Sequence, residues 1–155
     1  MPTEQIIIVR DRPQTLRLSV LTPFYRYDPS AMLKAFGRAP AGVEFVLLDD
    51  GSASAEIVAN VTAAAHATGA PARIIVSEKN LGRSKARNRL ITEALGDYVL
   101  FLDADIRSPR TRRLPTDIND SRPGIDHQIG VFNGFDQRVV SPAVRERIRS
   151  NVKNT

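Results

Sequence analysis

Cysteine is absent from the 155-residue chain, which rules out disulfides, thiolate metal sites and a cysteine nucleophile. Histidine is almost absent: His66 and His127 are the two present, and neither has a partner at metal-ligand spacing. His66 falls in an Ala-rich helical stretch and reads as a surface or half-buried residue. Long apolar runs are missing as well. The opening MPTEQIIIVRDRPQTLR holds a single four-residue apolar run, too short for a secretory signal. Nothing approaches the roughly 18 apolar residues of a membrane span. The sequence therefore predicts a cytoplasmic protein, with contact at the inner face of the membrane as the one membrane association it allows.

Charge is unevenly spread. The net charge is +5, which taken alone would suggest a nucleic-acid partner. Residues 1–106 hold 12 Lys+Arg and 12 Asp+Glu, and residues 107–155 hold 10 and 5, so the whole excess sits in the last third. That tail has interspersed Asp residues and no basic helix stripe with aromatics, so nucleic acid is not the expected partner.

From Arg17 to Leu95 the chain alternates between two kinds of segment. LRLSVLTP, VEFVLLDD, ARIIVSE and DYVLFLDAD are short apolar runs and read as strands; VEFVLLDD is apolar on both faces, as in a covered parallel sheet. Helices are expected between them. YDPSAMLKAFGRAP has Asp28 as its cap, Pro29 at the first helical position and Gly37 as its stop. SASAEIVANVTAAAHATGAP is capped by Ser52 or Ser54. SKARNRLITEALG carries Ala86, Leu90, Ala94 and Leu95 on one face. This order predicts an α/β fold with right-handed crossovers and a mainly parallel sheet. Ligands of such sheets bind beyond the carboxyl ends of the strands. Here those ends carry Thr22-Pro23-Phe24-Tyr25, Asp49-Asp50, Asn80-Leu81-Gly82 and Asp103-Ala104-Asp105.

Each of these constellations has a plain reading beside a chemical one. Asp103 and Asp105 could hold a divalent cation together with a diphosphate, or form a solvated turn. Asp50-Gly51-Ser52 could start a helix, or a carboxylate there could accept the imide N–H of a uracil. A phospho-accepting receiver site fits poorly, because the acid pair follows the second strand. Arg83, Lys85, Arg87 and Arg89 could be a solvated face; Arg83 and Arg87, four apart at a helix start, also suit a phosphate.

SVLTPFYR, VEFVLLDDGSAS and EKNLGRSKARNRLITEALGDYVLFLDAD, in that order, resemble the family 2 glycosyltransferases of GT-A fold. The resemblance covers residues 17–106. It implies a nucleotide-sugar pocket, most often for a uridine diphosphate sugar, with a glycan or lipid-linked acceptor and bacterial polysaccharide synthesis as the usual setting. Thr22, Pro23 and Tyr25 would flank the nucleoside, Arg26 standing where the family usually has Asn. Asp50 would read the base, with Asp49 beside it. Asn80, Gly82 and Arg87 would lie near base and diphosphate. Asp103 would approach ribose and metal, and Asp105 would be the direct ligand of Mn²⁺ or Mg²⁺. Transfer in this family inverts the anomeric centre.

Three segments are thus expected: an N-terminal extension over 1–16, a nucleotide-sugar-binding half-domain over 17–106, and an irregular basic tail over 107–155 with a helix at 141–151. The family continues well past its D-x-D with acceptor contacts and a catalytic Asp in an E-D-like motif. No such motif follows Ile106, where Asp117, Asp120, Asp126, Asp136 and Glu146 are the candidate carboxylates. The expectation is a truncated or altered member, retaining donor binding and lacking the catalytic base, whose sheet would be uncovered on one side.

Overall fold

The computed structural model describes residues 3–13, 15–105, 129–132 and 135–140. Their elements run β1 (Glu4–Arg10), β2 (Leu18–Phe24), α1 (Ser30–Phe36), β3 (Val43–Asp50), α2 (Ala55–Ala67), β4 (Ala72–Ser77), α3 (Arg83–Glu93), β5 (Tyr98–Phe101), β6 (Ile129–Phe132) and β7 (Phe135–Val140). Among the described residues the strands form one sheet in the order β1-β4-β3-β2-β5-β7-β6. The central four, β4, β3, β2 and β5, are parallel. β1 joins antiparallel to β4 at one side, and β7 antiparallel to β5 at the other.

The parallel core follows from the sequence. β3 is buried along its whole length, as a strand covered on both faces must be. Its odd residues Val43, Phe45 and Leu47 pack with Met32 and Leu33 of α1 and Val61, Ala64 and Ala65 of α2. Its even residues Val46 and Leu48 meet Ala86, Leu90 and Ile91 of α3 on the opposite face. The strand period of two therefore divides one apolar run between two helical layers. Phe36 and Phe45 meet edge to face at 5.2 Å.

The ends of the helices differ in detail from expectation. Ser54 rather than Ser52 caps α2, its hydroxyl accepting from Ile57 N. Asp28 lies one residue ahead of the α1 cap position and accepts from Ser30 N and the Ser30 hydroxyl. α3 stops at Glu93, so Leu95 is off the helical face and half exposed.

Two corrections are larger. The extension is not separate from the domain: β1 within it extends the sheet, with Ile7 and Val9 against the core. The side of the sheet expected to be uncovered is paired, Val99 with Val140 and Leu100 with Val139. β6 and β7 are therefore regular structure inside the segment read as an irregular tail. The helix expected at 141–151 lies outside the described residues.

β1 and the linker after it are also fixed by charge. Arg12 Nε lies 2.8 Å from Glu44 Oε2, within ion-pair distance although its N–H points off the hydrogen-bond line. Arg12 also donates to the carbonyl and carboxylate of Glu93. Glu93 takes Arg73 and Arg89 as further partners, and Arg89 reaches Glu4 at 2.9 Å. Glu44, wholly buried, accepts in addition from the Ser19 hydroxyl and from Leu95 N. Burial lowers the Arg12 pKa, with Glu44 opposing that shift.

Candidate functional site

All four parallel strands point their carboxyl ends at one edge, and two adjoining hollows open there. The smaller, about 290 Å³, is lined by Asp50, Asn80, Gly82 and Ala86. The larger, about 410 Å³, is lined by Tyr27, Ala104 and Asp105. Pro23, Phe24, Tyr25, Arg83, Arg87 and Asp103 line both. They form one continuous cleft, with the two arginines and Asp103 between its ends.

The loops around the cleft are tied to each other by side chains. Asp50 is buried at the end of β3; its Oδ1 accepts from Leu81 N at 2.6 Å and its Oδ2 from Gly82 N at 3.1 Å. A carboxylate thus sits where α3 begins, at the positive end of the helix. Asp49 points to the other face, is 1% exposed and accepts from Ser52 N at 2.9 Å. The acids that adjoin in sequence are thereby held apart, one in each layer. Gly51 between them has φ +82°, and a Cβ there would lie 2.6 Å from Asn80 N, so only glycine fits. The Ser52 hydroxyl accepts from Arg26 N at 2.7 Å, binding the Tyr25–Arg26 loop to the Asp-Asp-Gly-Ser turn.

Arg26 has φ +49°, in the left-handed region where Asn is favoured and Arg is not. This gives a backbone reason for the Asn that the resembling family carries at the position. The Arg26 guanidinium lies 5.0 Å from the centre of the Tyr25 ring. Relief of left-handed strain is worth about 1–2 kcal/mol, and loss of an exposed cation–π contact costs about 0.5–1 kcal/mol. Arg26→Asn is expected to stabilise the chain by about 0–1.5 kcal/mol, read as a higher urea midpoint at unchanged slope.

Arg87 crosses from α3 to the end of β5. Its guanidinium lies 5.2 Å from the centre of the Phe101 ring and its Nη2 is 3.6 Å from Asp103 Oδ1. Both side chains are over a third exposed, so this pair adds little stability, and its charges face the cleft. Asp103 and Asp105 are exposed, two residues apart on the turn after β5. Among the described residues no group of three or more His, Asp or Glu could enclose a metal. A divalent ion held by the two carboxylates would take its remaining ligands from water and a bound diphosphate, and Mg²⁺ or Mn²⁺ accepts such a set.

Of the residues read from the sequence as donor-binding, Pro23, Tyr25, Asp50, Asn80, Gly82, Arg87 and Asp103 line the cleft, and so does Asp105. Thr22 and Asp49 do not. Thr22 is buried in β2, its hydroxyl without a protein partner. Asp49 serves the turn instead. Arg83, read from the sequence with Arg87 as suited to a phosphate, lines the cleft as well, and so does Tyr27, which the sequence reading did not single out. Nothing local marked Tyr27. Asp117, Asp120, Asp126 and Glu146 lie outside the described residues.

Residues 19–116 match the sequence profile of the family described as "Glycosyl transferase family 2". The chain belongs to glycosyl transferase family 2. It is 42% identical over 62 residues to the amylovoran biosynthesis glycosyltransferase AmsB of Erwinia amylovora, covering 40% of this chain and 21% of that protein. It is 31% identical over 99 residues to the undecaprenyl-phosphate 4-deoxy-4-formamido-L-arabinose transferase of Sodalis glossinidius, covering 60% and 30%. The solved mannosyltransferase PcManGT from Pyrobaculum calidifontis, in complex with GDP-Man and Mn²⁺, superimposes with TM-score 0.50 at 22% identity over 59% of this chain and 28% of that one. The fold is thus that of the N-terminal part of a GT-A family 2 glycosyltransferase. The chain spans about a fifth to a third of the length of these relatives. No described helix is long and apolar enough to cross a membrane.

Proposed function

We propose that the cleft binds a nucleotide-diphosphate sugar, most often a uridine diphosphate sugar, and donates its sugar with inversion to a glycan or lipid-linked acceptor. One observation carries this reading: Asp50, Asn80 and Gly82 occupy one end of a cleft, Asp105 the other, and Arg83, Arg87 and Asp103 the middle. A nucleoside fits between Tyr25 and the Asn80–Gly82 loop. A diphosphate then falls at Arg83 and Arg87, beside the start of α3, where charge and backbone dipoles favour an anion. The sugar points into the larger hollow, lined by Tyr27 and Asp105.

In this reading Asp50 has two tasks. It fixes the Leu81 and Gly82 amides, and its remaining lone pairs face the smaller hollow, where a base N–H can reach them. Arg87, already aimed across the cleft, exchanges part of its contact with Asp103 for a phosphate oxygen. Asp103 and Asp105 would hold Mn²⁺ or Mg²⁺, which when bound supplies Lewis-acid stabilisation of the charge on the departing diphosphate. The acceptor hydroxyl needs a carboxylate base within hydrogen-bond reach. The setting suggested by relatives named for amylovoran biosynthesis and for an undecaprenyl-phosphate substrate is polysaccharide or surface-glycan synthesis, in the cytoplasm at the inner face of the membrane.

Asp105→Ala is expected to abolish the Mn²⁺-dependent rise in melting temperature given by a uridine diphosphate sugar. An undiminished rise in the variant overturns the metal assignment. A second reading is favoured by one fact: among the described residues, Asp50, Asp103 and Asp105 are the only carboxylates lining the cleft. The chain would then be a donor-binding module without a base. Anomeric analysis of products from an acceptor panel, with donor hydrolysis measured alongside, separates the two: the module shows neither reaction.

A further inference from the structure

Among the described residues two that are not glycine have positive φ, Arg26 at +49° and Ala53 at +53°. They flank one hydrogen bond: the hydroxyl of Ser52, the residue before Ala53, accepts from Arg26 N. Ser52 N in turn donates to the buried Asp49. The loop after β2 is thus pinned to the turn after β3 at a residue whose long side chain disfavours that backbone conformation. Such strain persists where the surroundings over-determine it, and it gathers at ligand clamps.

The Arg26 side chain shows what the strained position holds. Among the described residues it makes no ion pair, and its guanidinium lies over the Tyr25 ring, 5.0 Å from the centre. Tyr25 is 44% exposed and lines both hollows of the cleft. Arg26 lines neither. One face of the ring therefore carries the cation, outside the cleft, while the cleft meets the rest of the ring.

We propose that Arg26 is a positioning residue for the nucleoside: its guanidinium, on one face of the Tyr25 ring, holds the other face toward the base of the donor. The inference rests on the donor-site reading above. Bases stack on aromatic rings of any neighbouring sequence. An exposed tyrosine left free loses rotamer freedom when a base settles on it, and a ring already braced loses less. Asn at position 26, the residue usual in the family, would relieve the backbone. Its side chain is short and uncharged, so it cannot brace the ring as a cation does. The strained arginine is in this account kept for the ring, at the expense of the turn. A long-range pull of its charge on the diphosphate is the competing explanation, and it makes a different prediction.

Calorimetric titration of the full chain with uridine diphosphate and, separately, with pyrophosphate, each with Mn²⁺, tests this. Arg26→Asn is expected to weaken uridine diphosphate about two- to fivefold, the worth of one exposed cation–π contact, and to leave pyrophosphate unchanged. The urea midpoint of the same variant does not fall, so base affinity is lost without any loss of stability. Tyr25→Ala is itself weakened, and adding Arg26→Asn to it is expected to cost nothing further, because the ring through which Arg26 acts is gone. Undiminished uridine diphosphate binding in Arg26→Asn, where the parent binds, overturns this inference alone. An equal loss for pyrophosphate assigns Arg26 to the phosphates by charge and overturns it too. So does a loss that persists in the Tyr25→Ala background. A parent chain that does not bind uridine diphosphate overturns the donor-site reading, and this inference with it.

Discussion

Asp50→Ala is expected to lose about 2–4 kcal/mol of stability and, with it, nucleotide binding. Each hydrogen bond to a charged acceptor is worth about 1.5–3 kcal/mol, and Asp50 accepts two, from Leu81 N and Gly82 N. Both amides are half-buried, so water replaces part of the loss. The variant also ends the repulsion between neighbouring carboxylates, which moderates the cost further. These offsets place the expectation below the sum of the two bonds. Asp50→Asn distinguishes geometry from charge: it keeps one acceptor oxygen but turns an N–H₂ toward the other amide, so an intermediate loss is expected. Urea denaturation measures the stability. A nucleotide-diphosphate titration of the still-folded Asn variant measures the site. Full stability in Asp50→Ala would mean that the loop after β4 is held by something else.

Glu44→Ala is expected to be the most damaging single change, at about 3–5 kcal/mol, the usual cost of removing one partner from a buried ion pair. The carboxylate is wholly buried. Its removal strands the Ser19 hydroxyl and the Leu95 amide, and deprives Arg12, 8% exposed, of its closer acid. Glu93 remains within 3.3 Å of Arg12, which keeps the loss within this range. Removing both charges together is a different matter. The double variant Arg12→Met, Glu44→Met is expected to recover the part of the loss that comes from the unpaired Arg12 charge, while the Ser19 hydroxyl and the Leu95 amide stay without their acceptor. A double-mutant cycle by urea unfolding checks both statements. A Glu44→Ala loss under about 1 kcal/mol would show that the network is solvated.

The parallel core was legible because each of its cues is local. VEFVLLDD is a mostly apolar run, broken only by Glu44 and ended by acids, and β3 is found over Val43–Asp50. Ser54 and Gly69 bracket α2 within one stretch of sequence. β1 was not legible: IIIV is as short as many loops, and its partner β4 is some 70 residues away. Nor did anything near Glu44 announce its burial, since its partners Arg12, Ser19 and Leu95 come from three other segments. Mid-strand glutamate in VEFVLL reads locally as an exposed position. β6 and β7 were missed because Gly, Asp and Arg dilute their apolar pattern and their pairing is with each other and with β5.

The candidate site divides the same way. Motif spacing brought out Asp50, Arg87, Asp103 and Asp105, which the crossovers deliver to one edge. Spacing could not say which of two adjacent acids faces the cleft. That follows from the strand period once the faces are known: Asp50 shares the α3 face with Val46 and Leu48, and Asp49 the opposite face with Phe45 and Leu47. Asp50 is at once the wall of the cleft and the clamp of its loop. Asp49 is a turn-forming residue.

The central claim is that this edge of the sheet is a metal-assisted site for a nucleotide-diphosphate sugar. Calorimetric titration of a uridine diphosphate sugar into the full chain, with Mn²⁺ and again with excess EDTA, tests it most directly. The predicted result is saturable binding with Mn²⁺ that weakens at least about tenfold on chelation, equivalent to about 1.4 kcal/mol. Equal affinity in both conditions, or no binding in either, would contradict it.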